Sequence, residues 1–112
     1  MQIEERTVGS IKVLDVKGQI TLGEGGMLLK DKINSVVSQG HKQVLINLGS
    51  VSYVDSAGLG ELVGAYTTVT HAGGRLKLEN ITKKMHDLLT ITKLVNVFET
   101  FETEQEAVKS FS

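Results

Sequence analysis

The chain is 112 residues long, 40% apolar and 22% charged, with 12 Lys and Arg against 13 Asp and Glu. Those figures describe one soluble globular domain, residues 1–112, whose near-neutral charge lacks the basic footprint of a nucleic-acid binder. Absence of cysteine removes disulfides and thiol chemistry, and apolar runs of at most three residues, as at Val44-Leu45-Ile46, rule out a membrane helix.

Gln2-Ile3-Glu4-Glu5-Arg6 is short and polar, as an edge strand is, and Gly9-Ser10 marks a turn. Ile11 to Lys17 is rich in β-branched residues and runs to Gly18, so the two segments predict an N-terminal hairpin. Thr21-Leu22-Gly23-Glu24 matches a capping box. Beyond the glycines, Leu29, Ile33, Val36 and Val37 recur at helical spacing until Gly40. Gln43 to Leu48 reads as a strand covered on both faces. Leu59, Leu62, Val63, Tyr66 and Val69 then predict an amphipathic helix, stopped by Gly73-Gly74. Arg75 to Glu79 alternates polar and apolar, as a half-buried strand does. After Thr82, the residues Met85, Leu88, Leu89 and Thr92 share one helical stripe. Val97-Phe98 and Phe101 suggest a last short strand. Thr103 to Glu106 is a second capping box, opening a helix with Ala107, Val108 and Phe111 on its apolar face. Strands alternating with helices in this way predict an α/β domain with a mainly parallel sheet.

His41, His71 and His86 lie 30 and 15 positions apart, with no short-spaced pair to bind a metal. No cofactor is expected. Met1 to Arg6 has no basic stretch leading into an apolar segment, so the expected location is cytoplasmic.

Asn47 to Gly60 is the most informative stretch. A buried strand ends, a short loop is expected to cross, and Asp55-Ser56 opens a helix with Ala57, Gly58 and Gly60 in its first turn. Glycine inside a helix costs about 1 kcal/mol relative to alanine, so a bare helix start has a use. Backbone N–H groups there lack intrahelical partners, and the helix dipole favours a negative charge by about 0.3–1 kcal/mol. A phosphate on Ser56 fits that environment. Equally, Asp55 or Ser56 serves as an ordinary N-cap.

From Val51 to Gly60 the sequence V-S-Y-V-D-S-A-G-L-G resembles the signature of the STAS domain family, specifically its bacterial anti-sigma factor antagonists. The likeness extends to Gly18, to Gly73-Gly74-Arg75-Leu76-Lys77-Leu78, and to Leu88 through Leu94 leading to Phe98, so it covers essentially the whole chain. It implies a single STAS-like domain: a mainly parallel sheet, an N-terminal hairpin and flanking helices. It also places the phosphoacceptor serine on Ser56 and its acidic neighbour on Asp55. Gly58, Leu59 and Gly60 then shape the helix start, and Ala57 leaves no second hydroxyl beside Ser56. The implied role is a non-enzymatic partner switch. Unphosphorylated, the protein binds an anti-sigma factor serine kinase and frees the sigma factor. Phosphorylation of Ser56 from ATP ends that contact, and a PP2C-type phosphatase restores it. Two departures from the family pattern bear on the partner. Gly23-Glu24-Gly25-Gly26 stands where acidic and non-glycine residues are more usual, and Asn47 where an aspartate is common.

Thr21, Leu22, Gly23 and Tyr53 are the partner-binding candidates, whereas Leu59 and Met27 are expected in the core. Lys83 and Lys84 form either a patch for an acidic partner or a solvated helix face. Three other functions are weighed against the sequence. Gly58-Leu59-Gly60 and Gly64, with Glu79 at a strand end 21 positions after Gly58, resemble a dinucleotide fingerprint, but Val63 occupies the third glycine's position. A serine hydrolase would need G-x-S-x-G around Ser56 and a histidine to serve it, and has neither. A STAS-like scaffold or regulator outside sigma-factor control keeps the fold and changes the task.

Overall fold

Val44, Leu45 and Ile46 are all fully buried, the mark of a strand covered on both faces, and the sheet is built around them. The computed structural model describes residues 1–112. Its strands are β1 (Gln2–Val8), β2 (Ile11–Ile20), β3 (Gln43–Val54), β4 (Arg75–Glu79) and β5 (Thr100–Phe101). They lie in chain order, β1 antiparallel to β2 and the rest parallel. The helices are α1 (Glu24–Ser38), α2 (Ser56–His71), α3 (Lys83–Ile91) and α4 (Glu104–Ser110). No helix is long and apolar enough to cross a membrane.

Period-2 alternation sorts the strands into two faces. On one, Leu14, Val16, Ile46, Leu48, Leu76 and Leu78 meet the apolar stripes of α1, α2 and α3 in a cluster of 19 buried residues. On the other, Ile11, Val13 and Leu45 pack under Ala107 and Phe111 of α4. Hence the predicted hairpin, parallel sheet and helical stripes are present, and Leu59 is buried as expected.

Several local expectations fail. β4 is not half-buried, since Lys77 and Glu79 on its polar side are covered by α4. Lys77 compensates by donating to the Ser110 carbonyl and hydroxyl, both at 3.0 Å, and by lying over the Phe111 ring. Thr21 does not cap α1: the N-cap is Gly23, at φ 97°, with no side-chain cap bond. Helix α1 therefore begins before Gly25 and Gly26 rather than beyond them. A side chain at Gly25 would put its Cβ 2.6 Å from the Gln19 carbonyl, so the first turn of α1 rests directly on β2. β2 itself runs on past Gly18 to Ile20. Likewise Gly49 to Val54 is strand rather than loop, because β2 pairs with β3 as far as Ile20–Val54. Met27 is 63% exposed rather than in the core. Finally, Leu94–Asn96 forms a 3-10 turn that drops Phe98 into the main core, leaving only Thr100 and Phe101 for the last strand. Phe98 meets Tyr66 there edge to face.

Candidate functional site

β3 delivers the chain to the carboxyl end of the sheet, and Asp55 turns it into α2. With φ -92° and ψ -179°, Asp55 is extended and acts as the N-cap. Its Oδ1 accepts the Gly58 amide at 2.7 Å and its Oδ2 accepts the Leu22 amide at 3.2 Å. One carboxylate thus caps a helix and ties the β2–α1 turn to it. The sequence left capping open between Asp55 and Ser56. The geometry assigns it to Asp55 and leaves Ser56 as the first helical residue, exposed to solvent.

Asp55 consumes the Gly58 amide through its side chain and the Leu59 amide through its carbonyl at 2.8 Å. The amides of Ser56 and Ala57, in the first turn, have no carbonyl one turn back to accept them within the helix. They point out at the helix start, beside the Ser56 side chain and at the positive end of the dipole. Gly58 has a different duty. A Cβ there would lie 1.8 Å from the Ile20 carbonyl, so the helix start sits against the backbone of β2. Gly60 meets nothing within 4 Å.

Around Ser56 the partner candidates are unequally placed. Leu22 is 82% exposed and Tyr53 55% exposed, Gly23 is exposed and Thr21 is half-buried. Met27, which the sequence assigned to the interior, joins the exposed apolar residues of this region because it follows Gly26 on the outward side of α1. Acidic residues neighbour the same region, with Glu24 in the first turn of α1 and the Glu61 side chain within 3.0 Å of where a Gly26 Cβ would stand.

The dinucleotide fingerprint is not assembled. Gly58 and Gly60 lie inside α2 rather than in a turn before it, and Glu79 is fully buried beneath α4, unable to reach a ribose. No group of three or more His, Cys, Asp or Glu is placed to hold a metal ion.

The model of the STAS domain family matches residues 2–107. The chain belongs to the STAS domain family. Among curated relatives, the anti-sigma-B factor antagonist of Bacillus subtilis (strain 168) is 39% identical over 72 residues, 64% of this chain and 65% of the relative's own length. Among solved structures, an anti-sigma factor antagonist from Mycobacterium paratuberculosis superposes with a TM-score of 0.82 at 19% identity, covering 97% of this chain and 92% of that one. SpoIIAA, a Bacillus cell fate determinant solved in its phosphorylated form, superposes at 0.77 with 20% identity, over 99% of this chain and 100% of that one. At such identities the structures establish the STAS fold.

The polar cluster on the opposite face escaped the sequence. Arg6 on β1 pairs with Asp15 at 2.6 Å and with Glu104 of α4, while Asn47 donates to Asp15 at 2.8 Å. Glu79 is fully buried in this cluster, its carboxylate oxygens accepting from no donor and 3.9 Å from Arg6. Burial, with Glu104 beside it, pushes its carboxyl up to about 7. Arg6 instead holds Glu104 and Asp15 below their ordinary values. A polar residue at every second position of a five-residue strand signals an open face, and nothing local says that a later helix closes it.

Proposed function

We propose that this single-domain chain is an anti-sigma factor antagonist, a non-enzymatic cytoplasmic switch governed by phosphorylation of Ser56. In its unmodified form it binds an anti-sigma factor with serine-kinase activity and so frees the sigma factor. The kinase phosphorylates Ser56 from ATP and ends the contact, and a PP2C-type phosphatase reverses the modification. The observation that carries this reading is the division of labour at the start of α2: Asp55 does the capping, which leaves an exposed Ser56 with a structural duty to nothing. Membership of the STAS family, a relative named as an anti-sigma-B factor antagonist and a like-folded protein solved in phosphorylated form support it.

Phosphorylation adds about -1.5 to -2 charges at Ser56. The Ser56 and Ala57 amides and the helix dipole absorb part of that charge in the free protein. Against a docked partner, with Asp55 adjacent, the same charge would be desolvated and poorly matched. A penalty of about 3 kcal/mol lowers affinity more than a hundredfold.

The test is incubation with the cognate anti-sigma factor kinase and MgATP, followed by intact-mass and fragment analysis. One phosphoryl group on Ser56, absent from Ser56→Ala, is the expected result. Ser56→Asp should weaken binding of the kinase about a hundredfold while Ser56→Ala retains it. An unmodified serine, or equal binding by both variants, would sink the phosphoswitch.

A further inference from the structure

The two ladders of β3 end at different places. Pairing with β4 stops at Asn47–Glu79, whereas pairing with β2 continues to Val54. Residues 50–54 therefore have a strand on one side only. At the end of this stretch the Asp55 amide donates to the Ile20 carbonyl, towards β2. Peptide planarity then turns the Val54 carbonyl the other way, onto the open edge. Open edges are ready templates for another chain, and proteins ordinarily block them with a charge, a proline or a covering element.

Here the edge borders a trough of about 190 Å³, formed by Val51, Tyr53 and Val54 of β3 and by Lys84, Met85 and Leu88 of α3. Its lining is mostly apolar, and Lys84 is the one charged residue in it. Lys83 and Lys84 open α3 without an acidic residue in its first turn, and neither enters an ion pair. Two cations at the positive end of a helix oppose its dipole and do the fold no favour. Ile91, 79% exposed, continues the stripe of Lys84 and Leu88 at i, i+4, i+7 spacing. The trough ends at Val54, two positions before Ser56.

We propose that this trough receives an extended segment of the protein that docks over Ser56, acidic and apolar in alternation, which adds to the free edge of β3 as a further strand. The proposal rests on the partner-switch reading for the identity of that protein. Each feature of the occupant answers a feature of the site. The unpaired edge selects an extended backbone, the lining of Val51, Met85 and Leu88 selects apolar side chains on one face, and Lys84 in the trough, with Lys83 beside it at the start of α3, selects carboxylates. The strand gives the docked protein a foothold beside the serine that does not depend on it.

A synthetic peptide Glu-Val-Glu-Ile-Glu-Val-Glu serves as the probe, titrated into the 15N-labelled full chain. Saturable binding is expected, with amide shifts confined to Ser50–Val54 and α3 and slowed exchange on the edge. The lysine counterpart Lys-Val-Lys-Ile-Lys-Val-Lys, a version N-methylated at alternate amides, and the variant Lys83→Glu/Lys84→Glu should each weaken binding at least about tenfold. Both lysines are exposed, so the double variant keeps its fold, which the spectrum reports directly. Lys109→Glu, the same substitution at an exposed position of α4 across the sheet, should leave peptide affinity within about twofold, since Lys109 does not line the trough. Absence of saturable binding, equal binding of both charge forms, indifference to N-methylation, or shifts elsewhere would overturn the docking site. None of those failures touches phosphorylation of Ser56 by a kinase, so the two ideas fall separately.

Discussion

Gly58 and Gly60 stand two positions apart in the same turn of α2, and nothing in the local sequence separates them. Tertiary contact does. A methyl group on Gly58 would sit 1.8 Å from the Ile20 carbonyl, whereas one on Gly60 meets open space. Gly58→Ala should therefore destabilise the domain by about 3 kcal/mol, since backbone against backbone has no rotamer to yield. Gly60→Ala should stabilise it by up to about 1 kcal/mol through helix propensity alone. Urea denaturation of the two variants decides the matter, and equal effects would refute the close approach of α2 to β2. Loss of partner binding in a stable Gly60→Ala protein would show that this bare position serves an interface. Asp55 belongs to the same level of description. A short acidic side chain before an amphipathic run was legible as a cap, yet its second bond, to the Leu22 amide 33 positions away, was not.

Helix α4 has seven residues, too few to be stable alone, so its attachments explain its existence. Ala107 and Phe111 supply apolar contact, Lys77 donates to Ser110, and Glu104 reaches Arg6. Covering β4 in this way buries Glu79 and raises its carboxyl to about 7 from 4.5. The sign of the consequence follows from proton counting. Between those two values the folded protein holds a proton that the unfolded chain has released, so stability falls as pH rises from 4.5 to 7 and levels off above. Asp15 and Glu104, both held low by Arg6, stabilise in the opposite sense, but their contribution is complete above the ordinary carboxylate range. The loss from Glu79 is on the order of 3 kcal/mol. Chemical denaturation at pH 5 and pH 8 should show the wild type weaker at pH 8. Glu79→Gln should remove most of that difference, because a neutral amide has no charge to bury. A variant that kept the full slope would place the titration elsewhere.

Taken whole, the molecule has one large core under α1, α2 and α3 and a smaller one under α4, and Ser56 lies at the edge of the first without entering it. A charge there should switch docking without loosening the domain. Ser56→Asp is expected to move the melting temperature by less than about 4 °C and to leave amide spectra unchanged beyond the start of α2, because surface changes of this kind stay within about 0.5 kcal/mol. Cooperative unfolding of the variant would mean that release works by disorder instead. Element order, the hairpin, the cap Thr103, and the apolar stripes of all four helices were legible because they depend on side chains two to four positions apart. The length of β3, the burial of Glu79, the exposure of Met27 and the glycine cap of α1 were not. The first two are set by what a segment far along the chain brings alongside, since β2 extends β3 and α4 seals β4, while at the start of α1 the Thr21 carbonyl, accepting the Gly26 amide at 3.1 Å, stands where a side-chain cap was expected. Periodicity encodes which face of an element is apolar, while the extent of pairing and the depth of burial arise only when separate elements meet.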